Sequence, residues 1–107
     1  MKRIGLAVFL TATGANAEEG IASVYSTAEG TQTACGPKLV DAALTAAHKT
    51  LPCGSKVRVR NKRNGREITV TITDRGPFVK GRIIDLTLGG ARALGFSGLT
   101  RVTVERP

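Results

Sequence analysis

The sequence predicts a mainly β protein, a small closed β-barrel with one or two short helices. Three observations predict it. Apolar residues recur with period two in several short runs, Gly and Pro-rich turns separate those runs, and 107 residues with 13 Gly suit one small domain rather than two. Closing such strands into a barrel also removes the edges that they would otherwise leave unpaired.

The amino end stands apart from this pattern. M-K-R, then the apolar stretch IGLAVFLTATG, then Ala15-Asn16-Ala17 follow the basic, apolar, small-residue order of a secretory signal peptide. Residues 1–17 are therefore expected to be removed after Ala17, leaving 18–107 as the domain. The apolar run is too short to span a bilayer, which needs about 20 residues, and Glu18 and Glu19 follow it directly. No cysteine stands at the cleavage point to carry the usual bacterial lipid anchor. The expectation is an exported, soluble protein, periplasmic or extracellular, monomeric and without a stable membrane anchor.

Within the domain, G-I-A-S-V-Y-S reads as a first strand, with Ile21 and Val24 spaced among small or polar neighbours. A Gly, Thr and Pro-rich connection covers 27–38. Alanine propensity then favours a short helix over Leu39 to Ala47, with Asp41 near its start. T-L-P-C-G is a turn. S-K-V-R-V-R and E-I-T-V-T-I-T are two alternating strands, joined through Asn64-Gly65 in what the dipeptide favours as a tight hairpin. Val57 and Val59 belong to one apolar face; Ile68, Val70 and Ile72 face them. D-R-G-P turns the chain into a short strand, G-R-I-I-D-L-T. L-G-G-A-R-A-L-G follows as a helix with Gly95 as its C-cap, and T-R-V-T-V-E is the last strand.

Export governs how the cysteines are read. Cys35 and Cys53 would meet an oxidising compartment, where two cysteines in a small domain allow one pairing; the alternative is two buried free thiols. His48, the only histidine, has no companion at metal-ligand spacing, so neither metal nor cofactor is expected.

The chain carries a net charge of +8, and without Lys2 and Arg3 it keeps 14 basic against 8 acidic residues, or +6. Such a field attracts polyanions. With aromatic residues at 4%, few platforms exist on which nucleic acid bases could stack, and an exported protein meets anionic wall polymers instead. The basic run K-V-R-V-R-N-K-R-N-G-R is in the first place a solvated hairpin.

Asp74 ends an alternating strand in front of R-G-P. Read from the residues alone, it is ordinarily a turn aspartate whose side chain caps nearby N–H groups. His48 beside an alanine-rich segment is ordinarily structural. Asp85 could pack or bind loop backbone, and Tyr25 could form part of the barrel wall.

A-L-T-A-A-H-K-T-L-P-C-G-S-K-V-R-V, N-G-R, T-D-R-G-P-F, G-R-I-I-D-L-T and A-L-G, in this order and at these intervals, resemble the rare lipoprotein A family. The likeness runs from Gly20 to Val104. It implies a six-stranded double-psi β-barrel of the kind shared with expansins and barwin-like proteins, working on peptidoglycan glycan strands that lack stem peptides. It makes Asp74 and His48 the residues tied to activity, and gives Tyr25, Arg75 and Asp85 places where they could contact substrate. A lytic transglycosylase needs an acid to protonate the leaving oxygen, while the muramic acid 6-hydroxyl attacks and yields a 1,6-anhydro sugar. One carboxyl can then serve as acid and afterwards as base. Arg75 is expected to be a substrate or structural contact, since a guanidinium paired directly with the acid would hold it ionised.

Two positions depart from the family pattern. Where members carry T-A-N-G-E or T-A-S-G-E, this chain has T-A-C-G-P, with Pro37 in place of a glutamate implicated in function. V-Y-S replaces W-Y-G in the first strand, which removes an aromatic ring at Val24. These departures leave a second reading open, a noncatalytic glycan-binding or wall-loosening module on the same barrel.

Overall fold

A computed structural model describes residues 17–107; the expected signal peptide, apart from Ala17, lies outside them. Six strands form in chain order: β1 Ala17–Val24, β2 Thr45–Ala47, β3 Lys56–Asn61, β4 Glu67–Asp74, β5 Arg82–Leu86 and β6 Thr100–Glu105. Among the described residues, one α-helix, α1 Leu88–Leu94, and a 3-10 turn, Thr27–Glu29, accompany them. The strands close into a barrel in the order β1-β5-β2-β4-β3-β6. The β1–β5 and β2–β4 pairs are parallel and the remaining four are antiparallel. This is the small closed β-barrel that the alternation predicts, with the six strands of the double-psi type that the family resemblance implies.

Period-two alternation supplies the core. Val57 and Val59 of β3, Val70 and Ile72 of β4, Ile84 and Leu86 of β5, and Val102 and Val104 of β6 are all buried with Ala22, Ala46 and Leu94. Ile68 is partly buried against them. Burying each larger aliphatic side chain is worth about 1.5–3 kcal/mol, so this interior dominates the stability of a small domain. Helix α1 contributes Leu94 to it. Thr87 caps the helix by accepting a bond from the Gly90 N–H at 3.0 Å, and Gly95, in the left-handed region at φ 78°, ends it. A side chain on Gly89 would come within 2.7 Å of the Ala42 carbonyl oxygen, so this helix can lie against the 39–44 segment only with glycine there.

Two expectations are corrected. Leu39 to Ala47 is not a helix: it is an irregular segment that leads into β2. Its carbonyls go to tertiary partners, Asp41 O to the Gly89 N–H at 2.7 Å and Leu44 O to the Thr71 N–H at 3.1 Å. The Asp41 carboxylate binds the Thr27 N–H and hydroxyl at 2.9 and 2.7 Å rather than capping its own segment. A helix this short has little stability of its own to set against such bonds. The β3–β4 connection is also longer than a two-residue turn, spanning 62–66. Buried Asn61 shapes it: its Nδ2 donates to Leu94 O at 2.9 Å, and its Oδ1 accepts from the Arg63 N–H at 2.9 Å and the Thr100 hydroxyl at 3.0 Å.

Candidate active site

The sheet register gathers the predicted residues at one end of the barrel. Ser23 of β1 pairs with Asp85 of β5, Asp85 pairs with Ala47 of β2, and Ala47 pairs with Asp74 of β4. The two aspartates thus flank one small residue, their Cα atoms two strand spacings or about 10 Å apart. A register irregularity between Ala46 and Ala47 brings Asp74 level with Ala47.

Asp74 is half-buried, and its two oxygens differ. Oδ1 accepts from the Ala34 N–H at 2.8 Å and from the Arg75 N–H at 2.9 Å. None of the described residues hydrogen-bonds to Oδ2. The turn reading and the acid reading are therefore compatible: one oxygen fixes the loops and the other has no backbone bond. Arg75 does not pair with this carboxylate through its guanidinium. Its Nη1 donates to His48 O at 2.9 Å and to Leu51 O at 2.7 Å, and its Nη2 lies 3.6 Å from Cys53 Sγ, which makes it a brace for the 48–53 loop.

A disulfide joins Cys35 to Cys53. It ties the loop that carries the Ala34 N–H to the loop that Arg75 braces, and Cys35 N and Gly54 N both bond to β4, at Thr73 O and Ile72 O. Pro37 is exposed on the same loop as Ala34. Beyond Asp74 the Gly76–Pro77 peptide is cis, and Phe78 stands 78% exposed beside the turn.

His48 is buried, and both of its ring nitrogens are occupied. Nδ1 accepts from the Thr50 and Leu51 N–H groups, each at 3.1 Å, which places the ring proton on Nε2. Nε2 donates to Glu18 Oε1 at 2.9 Å. Only the backbone reaches the acid directly, His48 N–H donating to Asp74 O at 3.1 Å. Sequence reasoning missed Glu18. Its position immediately after the expected cleavage site gave no sign that it meets a residue 30 positions away.

Asp85 accepts from the Ser23 hydroxyl through Oδ1. Tyr25 follows β1, its N–H bonded to Leu86 O at 2.9 Å. The Tyr25 hydroxyl is buried and meets no partner at full hydrogen-bond geometry, but the side chains of Thr73 and Asp74 lie close enough to interact with it. Burial first, then the charges of Asp74 and Asp85, push the phenol well above its ordinary 10.0. Tyr25 lines a pocket of about 480 Å³ between the end of β1 and α1, together with Val24, where the family pattern has an aromatic ring.

The basic hairpin is partly neutralised in place. Arg58 lies 3.6 Å from both Glu67 and Glu105, Arg60 lies 3.9 Å from Glu67, and Lys62 lies 2.9 Å from Glu19. The Lys62 ammonium holds the Glu19 carboxyl below the usual range. No helix among the described residues is long and apolar enough to cross a membrane.

The fold and the site define a class, small closed double-psi β-barrels that present an aspartate on a braced turn with a second aspartate two strands away. Within it, residues 17–105 match the family model described as lytic transglycolase, and the chain belongs to that family. It is 50% identical over 92 residues to the Nostoc sp. protein named "Probable endolytic peptidoglycan transglycosylase RlpA", covering 81% of this chain and 25% of that one. It is 52% identical over 92 residues to the endolytic peptidoglycan transglycosylase RlpA of Pasteurella multocida, covering 83% and 31% respectively. The chain thus spans between a quarter and a third of these relatives' length. Among solved structures, an expansin from Clavibacter michiganensis shares the fold with a TM-score of 0.64 at 23% identity, over 82% of this chain and 48% of that one.

Proposed function

We propose that this chain is an exported peptidoglycan lytic transglycosylase that cuts glycan strands lacking stem peptides and leaves 1,6-anhydro-muramic acid ends, with Asp74 as its acid and then its base. The observation that carries this reading is the asymmetry of Asp74. An Oδ1 fixed by two backbone N–H groups and an Oδ2 left open give a carboxyl with a set direction and a free edge. The relatives' names, and the family to which the chain belongs, support the same reaction class.

In this mechanism Asp74 gives its proton to the glycosidic oxygen as the bond from C1 of muramic acid to that oxygen breaks. The sugar's own 6-hydroxyl then attacks C1, and its proton returns to Asp74. No water is consumed, and the carboxyl ends as it began. His48 acts as a positioning residue: its ring gathers the Thr50 and Leu51 N–H groups, and the loop so formed supplies the two carbonyls that hold Arg75 beside the acid. Asp85 and Tyr25 contact the strand on the other side of Ala47. Residues 1–17 direct export, and cleavage after Ala17 leaves Glu18 in place to hold His48.

Pro37 favours a second reading. It supplies no proton-handling group on the loop beside Asp74, so a barrel that binds glycan without cutting it is the competing function. Mass spectrometry of glycan strands without stem peptides, incubated with the processed protein, separates the two. The enzyme reading expects anhydro-ended fragments from wild type and at least a 100-fold slower yield from Asp74→Asn, since general acid catalysis typically contributes a factor of about 100–10,000. Binding without fragments from wild type would establish the second reading.

A further inference from the structure

Asp74 Oδ1 is held from two sides, and only one of them is local. The Arg75 N–H belongs to the next residue, whereas the Ala34 N–H comes from a residue 40 positions away. Among the described residues, the 31–39 segment makes two hydrogen bonds to the rest of the barrel, Cys35 N–H to Thr73 O at 3.1 Å and Ala34 N–H to Asp74 Oδ1 at 2.8 Å. Its other bonds, Leu39 N–H to Thr31 O, Gly36 N–H to Thr33 O and the Thr33 hydroxyl to Pro37 O, close on the segment itself. The covalent tie from Cys35 to Cys53 is thus the main restraint that keeps Ala34 on the acid.

That tie is open to chemistry. Neither cysteine belongs to the apolar core, Cys53 is exposed and Cys35 is half-buried, so a thiol can reach the disulfide while the barrel stays closed. Exposed disulfides are the ones that exchange, by attack of a thiolate on one sulfur. The Arg75 Nη2 lies 3.6 Å from Cys53 Sγ, and its Nη1 is fixed by the His48 and Leu51 carbonyls, so a cation is held beside the accessible sulfur. It attracts an incoming thiolate and favours the thiolate form of a cysteine released there.

We propose that the Cys35–Cys53 disulfide is a thiol–disulfide exchange site that docks or releases the 31–39 segment on Asp74, with Cys53 as the sulfur that a dithiol reductant attacks. One thiolate of the reductant bonds to Cys53 Sγ as the bond to Cys35 breaks, and Cys35 leaves as a thiolate that takes a proton from water. The reductant's second thiolate then attacks its own sulfur in the mixed disulfide, and Cys53 leaves beside Arg75. Two electrons pass to the protein, and the reductant ends as a disulfide. Ala34 is then no longer tethered, and the carboxyl keeps the Arg75 N–H alone. The effect on turnover rests on the reading of Asp74 as the acid; the exchange and the release of the segment do not.

The test uses the processed protein with glutathione and dithiothreitol as the thiols. Brief exposure to glutathione and an acid quench should leave the adduct on Cys53 in excess over Cys35, by peptide mass. Dithiothreitol should expose both thiols to alkylation while circular dichroism still reports the barrel. In that reduced, folded state, NMR should find the Ala34 amide exchanging at least about 10-fold faster, with the Val57 and Val70 amides unchanged, since local opening need not involve the barrel strands. The yield of anhydro ends should fall about 10- to 100-fold and return on reoxidation, because small misplacements at a reacting group can cost about 100-fold. The double variant Cys35→Ser with Cys53→Ser should stay at the reduced level and ignore dithiothreitol.

Thiols that appear only as the barrel unfolds, an adduct chiefly on Cys35, or an Ala34 amide equally protected in both states would overturn the exchange site. Equal turnover in both states would overturn its hold on the acid. If wild type yields no anhydro ends in either state, the lytic reading fails, and the thiol, adduct and Ala34 measurements decide this one by themselves.

Discussion

Asp74 and His48 are the two residues that the family resemblance ties to activity, and their surroundings differ. Asp74 spends one oxygen on the loops and keeps the other open, whereas His48 has both nitrogens committed, to two loop N–H groups and to Glu18. The aspartate is fixed and available; the histidine is fixed and used. A site can thus need two residues for different reasons, one to move a proton and one to hold the loop beside it. Substitution at each should then fail in a different way.

The largest stability effect is expected where the Asp74 loops are tied together. Replacing both Cys35 and Cys53 by serine frees a loop closed over a separation of 18 residues, which should cost about 3 kcal/mol by the chain-entropy model. Denaturant unfolding measures it. Activity per folded molecule should also fall, because the Ala34 N–H is no longer held at Asp74 Oδ1; a variant with wild-type turnover would show that Arg75 alone suffices as a brace.

A smaller loss is expected at the histidine. His48→Ala leaves the Thr50 and Leu51 N–H groups without their acceptor and should cost about 1–3 kcal/mol. Glu18→Gln, which retains an acceptor for Nε2–H on an exposed side chain, should cost less. The ring itself can be checked directly: nitrogen NMR of the only histidine should find the proton on Nε2 at neutral pH. A proton on Nδ1 would mean that this loop is held differently.

The smallest effect concerns pH. Burial first, then Asp74 and Asp85, raise the Tyr25 phenol above 10.0, so the folded state keeps the proton longer than the unfolded state. Its contribution to stability is full below pH 10 and is lost as pH rises above the unfolded value and through the folded one. Thermal midpoints of wild type and Tyr25→Phe should therefore have a constant difference up to about pH 10, and wild type should lose ground above it. Parallel curves would place the phenol in water.

Much of the barrel could be read from alternation. Val57, Val59, Val70, Ile72, Val102 and Val104 sit where period two puts them, and the Leu88–Leu94 helix ends at the Gly95 cap its sequence announces. What escaped was decided by distant partners. Thr45–Ala47 became a strand because β4 and β5 receive it on both sides, and the alanine run before it gave up a helix for bonds to Thr71 and Gly89. Asp74 and His48 were singled out through the motifs around them. Glu18, the buried Tyr25 hydroxyl and the bracing role of Arg75 depend on three-dimensional neighbours that no local spacing encodes.

Turnover of Asp74→Asn and His48→Ala on the same glycan chains, each normalised to folded protein, tests the contrast between the two residues most directly. Asparagine keeps an oxygen to accept the Ala34 and Arg75 N–H groups, so Asp74→Asn should unfold near the wild-type temperature and yet form anhydro ends at least 100-fold more slowly, within the factor of about 100–10,000 typical of general acid catalysis. His48→Ala should unfold at a lower temperature and lose less than about 10-fold per folded molecule, well short of that general acid range. Wild-type turnover in Asp74→Asn, or a loss in His48→Ala equal to that of Asp74→Asn, would contradict the assignment of the proton to Asp74 and of the scaffold to His48.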